Sequence, residues 1–286
     1  MPGILDTHVH ITTGVAFEYA VLGEQIMVNS KKEALDFMSD YVAKNPGLDP
    51  YRFMLPRACL NGEELVKEDL DAICPDTGLV ILEEECHSAW VNSKMLERHG
   101  ITDDTPDPVP ELEYYVRKDG HITGNALEAM SWPFLFDQLR KSLTEDEIGE
   151  AISSWIDFSK KYGISGVFDA GFPEHNDIHE RIYSYMRELD RQGKLPIYVD
   201  GCYILTDPGK LKEALEETKR LNREFTTEHL KVHTLKIIMD GTLKIETAAM
   251  ITPYEEAGNV LDPRWGVRRG FRLAGLLLWS QPRPGT

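Results

Sequence analysis

The sequence is short of cysteine. It has four, Cys59, Cys74, Cys86 and Cys202, and no C-x-x-C pair in 286 residues. A chain this long with so few cysteines has no disulfide framework, and reduced thiols are expected. Positive charge is scarce as well: 31 Lys+Arg stand against 48 Asp+Glu, for a formal net charge of −17. Such an acidic chain is a poor partner for phosphate backbones and anionic lipid, so neither nucleic acid nor a membrane is an expected partner. No run of about 18 apolar residues occurs, so no transmembrane helix is expected. The opening Met1-Pro2-Gly3-Ile4-Leu5-Asp6 lacks a basic stretch followed by an apolar one. It does not read as a secretory signal, and the expected location is cytoplasmic. There is no G-x-x-x-x-G-K phosphate loop and no internal repeat. What is present is an ordinary globular composition, 42% hydrophobic, which argues against disorder and collagen-like classes.

The scarce positive charge is unevenly placed. Residues 264–286, RWGVRRGFRLAGLLLWSQPRPGT, hold five arginines, two of the five tryptophans and no acidic residue. Residues 1–263 are therefore the expected globular part, and 264–286 an atypical basic tail. The tail is either an interaction element or a stretch translated from a shifted frame or an unspliced intron. Its lack of helix caps, strand alternation and acid favours the second reading, and no fold is expected for it.

Local patterns divide the rest. Gly3 to His10 reads as a buried strand with a polar end, and residues 31–44 as an amphipathic helix. A shorter helix is expected over 63–73, a strand over 78–82, a helix over 89–99 closed by Gly100, and a loop over 103–110. Residues 11–143 thus form a long mixed α+β insertion after the first strand. From Thr144 the pattern is regular. Thr144 and Glu147 form a capping box for a helix burying Ile148, Ile152, Trp155 and Ile156. Strands at 164–168, 195–199 and 230–239 alternate with helices at 176–192 and after Asp207. Such alternation, about residues 144–250, indicates βα units on a parallel sheet, an α/β fold.

The strongest chemical signal is Asp6-x-His8-x-His10. Residues i and i+2 of a strand point to one side, so two imidazoles at a strand end can share one divalent metal. Asp6 falls on that same side, near the metal or orienting a ligand. Other candidates weigh less. His175 and His179 lack the Glu of H-E-x-x-H and read as an exposed first helical turn. His121, His229 and His233 read as surface residues, and Glu83-Glu84-Glu85 as a solvated strand end.

Pro2-Gly3-Ile4-Leu5-Asp6-Thr7-His8-Val9-His10 resembles the first-strand motif of the amidohydrolase superfamily. Three further stretches resemble motifs of its family 3, the group of N-substituted formamide deformylase-like enzymes. They are His87-Ser88-Ala89-Trp90-Val91-Asn92-Ser93-Lys94; Asp119-Gly120-x-x-Thr123-Gly124-x-x-x-Glu128; and Leu235 to Thr242 with Thr247-Ala248-Ala249-Met250 and Pro253-Tyr254. The motifs follow the family's order from residue 2 to about 262. D-x-H-x-H alone would also fit a metal-dependent phosphoesterase.

The resemblance implies a (β/α)8 barrel with its site at the C-terminal strand ends, and a divalent metal, zinc by expectation. It implies His8, His10 and a carboxylated Lys236 as metal ligands. His87, Trp90, Asn92 and Asp240 are then the expected substrate-binding residues for a small-molecule substrate. It also implies residues this sequence does not carry: a His-Ala-Ile-Gly-Asp strand, a later ligand histidine, and the aspartate that shuttles the proton. No catalytic base is therefore assigned. The expectation is a partial TIM barrel of about four strands, truncated at both ends, with its C-terminal half and β-sandwich missing. The expected activity is metal-dependent hydrolysis of carbon–nitrogen bonds, with this chain an inactive version prone to self-association through an open barrel edge. The alternative is a non-catalytic fragment acting through protein interaction, with the basic tail as its contact element.

Overall fold

A computed structural model describes residues 3–16, 24–84, 86–109, 112–136, 143–171, 177–243 and 245–248. Ten strands lie within them: β1 (Ile4–Val9), β2 (Glu24–Gln25), β3 (Tyr51–Leu55), β4 (Leu79–Glu83), β5 (Ser88–Val91), β6 (Tyr115–Lys118), β7 (His121–Leu127), β8 (Ile164–Asp169), β9 (Tyr198–Leu205) and β10 (Leu230–Ile237). They form two sheets. The first is four-stranded with order β1-β8-β9-β10, and every neighbouring pair is parallel. The second has order β2-β3-β4-β5-β7-β6, parallel from β2 to β4 and antiparallel beyond.

The four-stranded sheet is the α/β unit expected from the alternating pattern. Helices Asp177–Arg191 and Leu211–Phe225 connect β8 to β9 and β9 to β10. The Glu145–Lys161 helix opens as expected: Thr144 Oγ1 accepts from the Glu147 backbone N–H at 3.2 Å, and Glu147 accepts from the Thr144 N–H at 2.7 Å. Its Ile148, Ile152 and Ile156 are buried, whereas Trp155 is only partly covered. Thr144→Ala should cost about 1 kcal/mol of unfolding free energy in a urea titration, the usual worth of a side-chain cap.

The second sheet fills the insertion. Its β4 strand, Leu-Val-Ile-Leu-Glu, is buried at every position, because both faces are covered. Val80 and Leu82 join the core shared with Ile148, Val167 and Val199. Leu79 and Ile81 join a second core with Met38, Phe53 and Leu70. The four-stranded sheet is open at β1 and β10 among the described residues. Ile4 and Leu5 on β1 are 56% and 69% exposed.

Several expectations are corrected. Residues 89–99 are not one helix. Ser88–Val91 is a strand, and Asn92 caps a short helix over Ser93–Arg98. The β-favouring Trp90 and Val91 pair across the sheet with Ile81 and Val80. The strand expected over 195–199 begins at Tyr198 and runs to Leu205, since Pro196 has no N–H to give a ladder. The helix over 63–73 is confined to Lys67–Asp71. The tail 264–286, His175, and the Ala249-Met250 and Pro253-Tyr254 pieces lie outside the described residues. All four cysteines are free. No described helix is long and apolar enough to cross a membrane.

Candidate metal centre

The D-x-H-x-H signal lands where strand geometry puts it. His8 and His10 leave the end of β1 on one side, with their Nε2 atoms 3.2 Å apart. Two nitrogens bound at about 2.0–2.1 Å to one tetrahedral zinc would sit about 3.3 Å apart. Asp6 Oδ1 accepts from the His8 backbone N–H at 3.1 Å, so it steadies the strand end between them.

The orientation of His10 is set from the neighbouring strand. Its Nδ1 lies 2.8 Å from the Gly171 carbonyl, so Nδ1–H donates and Nε2 keeps a lone pair. Gly171 follows β8 in the left-handed region, φ +80, a conformation glycine reaches without penalty. Asp169 fixes that turn. Its Oδ1 accepts from the Gly171 N–H at 3.3 Å and the Ile11 N–H at 3.0 Å, and its Oδ2 accepts from the Tyr183 hydroxyl at 3.1 Å. Asp169 is fully buried, and burial pushes its carboxyl up to about 6. Burial also lowers His10, the Gly171 hydrogen bond opposes it, and the neighbouring Lys236, His8 and His87 act with burial. The neutral imidazole, which is the ligating form, is thereby favoured.

Lys236, at the end of β10, donates from Nζ to the Ala170 carbonyl at 3.3 Å. Burial lowers its ammonium, partly offset by Cys202 and Asp169. An ammonium has no lone pair to give a metal, so Lys236 fits a ligand role only as a carbamate. The Cys202 thiol is pushed up to about 12 by burial and stays protonated. Among the described residues no three His, Cys, Asp or Glu side chains converge on one metal position. The donors present therefore fit a metal held by two imidazoles and completed by a modified lysine or by groups outside these residues.

Glu128 joins three of the sequence motifs, a role the sequence did not suggest. Its Oε2 holds His87 Nδ1 at 2.7 Å, while Oε1 accepts from Thr247 Oγ1 at 2.6 Å and from the Thr242 N–H at 3.2 Å. Gly241 is needed beside it: a Cβ there would stand 2.1 Å from Thr247 Oγ1 and 2.6 Å from Glu128 Oε1. His87 lies near enough to His10 to act on its charge, with Nδ1 committed to a carboxylate. Asp240 lines a small cavity of about 30 Å³ together with Glu128 and Trp132.

Two expected substrate residues are placed elsewhere. Asn92 is fully buried and its amide is spent on the fold. Oδ1 accepts from the Met95 and Leu79 N–H groups, and Nδ2 donates to the Cys74 and Thr77 carbonyls. Trp90 is 2% exposed in the second core, beneath the Arg57 guanidinium. Glu83 is not solvated: it is fully buried and accepts from Ser88 Oγ at 2.8 Å. Glu84 is exposed, and Glu85 lies outside the described residues. His179 is 3% exposed, because it shares the apolar helix face of Ile182, Tyr183 and Met186. His121 and His233 are exposed, beside Asp103 and Asp200, and His229 is half-covered against Asp190.

The profile described as "Amidohydrolase family" matches residues 1–274. The exoenzymes regulatory protein AepA of Pectobacterium carotovorum subsp. carotovorum is 23% identical over 275 residues, covering 92% of this chain and 56% of that protein. The YtcJ protein of Bacillus subtilis (strain 168) is 23% identical over 269 residues, covering 89% and 46%. Among solved structures, an uncharacterized metal-dependent hydrolase from Pyrococcus horikoshii OT3 superposes with a TM-score of 0.54 at 21% identity, covering 91% of this chain and 48% of that one. The chain spans about half the length of the curated relatives it matches.

Proposed function

Because the chain belongs to the amidohydrolase family, we propose that it carries part of the metal centre of a hydrolase for carbon–nitrogen bonds in small non-peptide amides or formamides. The observation that carries this reading is the His8–His10 pair, with Nε2 atoms 3.2 Å apart and His10 anchored on Gly171. In this reading the four parallel strands are the first half of a (β/α)8 barrel. Among the described residues β1 and β10 are unpaired on their outer sides, which supports self-association in this reading.

A bound divalent metal, zinc in this reading, supplies an acidified water and a polarised carbonyl. The chain's own residues prepare the place for it. His8 and His10 present their Nε2 atoms to one point. Asp169 and Gly171 fix the His10 ring, so little conformational freedom is lost on binding. Lys236 reaches from the end of β10 to the Ala170 carbonyl after β8, and its lowered ammonium leaves more free amine to take up carbon dioxide as a carbamate. His87, held by Glu128, faces the substrate. No residue of this chain is assigned the proton shuttle, so hydrolysis by the chain alone is not expected.

The test is metal content after dialysis against micromolar zinc, measured by atomic emission on the full chain and on His8→Ala/His10→Ala. The parent is expected to retain zinc weakly and the double variant none. N-substituted formamide should remain unhydrolysed by both. Equal zinc in the two proteins would remove the site from these histidines.

A further inference from the structure

We propose that Tyr183 is a positioning residue for His10. Its hydroxyl, reaching in from the Asp177–Arg191 helix, holds Asp169 in the rotamer that pins the Gly171 turn, and so selects the His10 tautomer whose Nε2 is free for a metal. What that nitrogen is for rests on the metal reading; the tautomer itself is a property of the metal-free chain.

The path to Asp169 is opened by a missing side chain. Gly201 on β9 stands directly beside Asp169 on β8 in the parallel ladder, so a side chain there would share the Asp169 face. A Cβ at Gly201 would lie 2.6 Å from the Tyr183 Oη and 2.9 Å from its Cζ. The phenol thus occupies the place of a residue-201 side chain, and its Oη donates to Asp169 Oδ2 at 3.1 Å. Tyr183 is 1% exposed, with its ring centroid 5.9 Å from that of Phe225. Buried polar groups need partners, and the phenol and the carboxyl are partners for each other.

The turn carries the effect to His10. Asp169 Oδ1 takes the Ile11 and Gly171 N–H groups while Oδ2 takes the phenol, so donors on both oxygens fix one orientation. The Gly171 carbonyl then accepts from His10 Nδ1 at 2.8 Å and from Thr13 Oγ1 at 3.1 Å, which uses both its lone pairs. Ala170, in the same turn, gives its carbonyl to Lys236 Nζ and its N–H to the Val9 carbonyl. Free histidine in water favours the Nε2–H form, which has no lone pair on Nε2, so the protein has to enforce the other. Without the phenol, Oδ2 becomes an unpaired buried acceptor. The carboxyl is then free to leave the Gly171 N–H, the longest of its contacts at 3.3 Å.

The test is nitrogen-15 NMR of the histidine rings in the metal-free full chain at pH 8, with His10 identified by its loss in His10→Ala. The parent is expected to hold His10 as Nδ1–H. Tyr183→Phe keeps the ring and should move His10 toward Nε2–H. Zinc affinity should fall about tenfold, as for a lost outer partner of a metal ligand. Gly201→Ala, which displaces the phenol without altering Tyr183, should act the same way. Tyr185→Phe, which removes a hydroxyl elsewhere on the same helix, should leave His10 as in the parent. A parent His10 in the Nε2–H form would overturn the proposal. So would an unchanged tautomer in folded Tyr183→Phe, or in Gly201→Ala should the first not fold, even with a lowered melting temperature. A tautomer shift in chains that hold no zinc would keep the positioning role and remove the metal reading instead.

Discussion

Replacing Glu128 by alanine is expected to destabilise the folded chain by about 1–3 kcal/mol, the usual cost of taking the acceptor away from buried hydrogen-bond donors. The carboxylate is 7% exposed and accepts from His87 Nδ1, Thr247 Oγ1 and the Thr242 N–H. Alanine would leave His87 Nδ1 without its carboxylate and the Thr247 hydroxyl and Thr242 N–H with only each other, 2.8 Å apart. Its backbone sits at φ +51, outside the favoured regions for a non-glycine residue. That conformation persists because the three contacts over-determine it. Glu128→Gln should fall between parent and alanine: one amide oxygen can still accept, but the amide NH2 confronts another donor. Urea unfolding at pH 7 measures both, with the slope unchanged if only stability has moved. A loss below about 1 kcal/mol for Glu128→Ala would mean that the carboxylate is solvated and that the motifs around His87, Glu128 and Thr242 do not meet there.

The contrast between Glu128 and His8 shows which parts of the site a sequence exposes. His8 and His10 are legible because period two on a strand is a local rule, and the residues carry their chemistry in their type. The capped helix after Thr144 is legible for the same reason. Glu128 closes a recognisable motif, but its partners stand 41, 114 and 119 positions away, a distance that no local pattern spans. Asp169 looks like any strand-end acid until its burial and its grip on Gly171 are seen. Asn92 and Trp90 fail in the opposite direction. The motif resemblance puts them at the substrate, yet one caps a helix and the other lies under an arginine. Of the six-stranded sheet the strand over 78–82 is legible, whereas Ser88–Val91 reads as the start of a helix, because a short, fully buried apolar run fits either.

Asp169 should give the chain a pH signature that a single variant isolates. Its carboxyl is raised by burial to about 6 in the folded state, against about 3.9 in an unfolded chain. Between those values the folded state binds more protons, so its contribution to stability is complete below about pH 4. It is lost as pH rises through about 6. At about 1.4 kcal/mol per unit, a gap of roughly two units amounts to about 3 kcal/mol. The absolute stability curve would hide this, because the chain has 48 Asp and Glu. The difference between parent and Asp169→Asn cancels the other groups. Asparagine keeps an acceptor for the Ile11 and Gly171 N–H groups and does not titrate. Parent minus variant should therefore fall by about 3 kcal/mol from pH 4 to pH 7 at constant ionic strength. A flat difference would mean that the carboxylate is not desolvated. The turn at Gly171 would then lack its buried anchor, and with it the reason His10 points its Nε2 at His8.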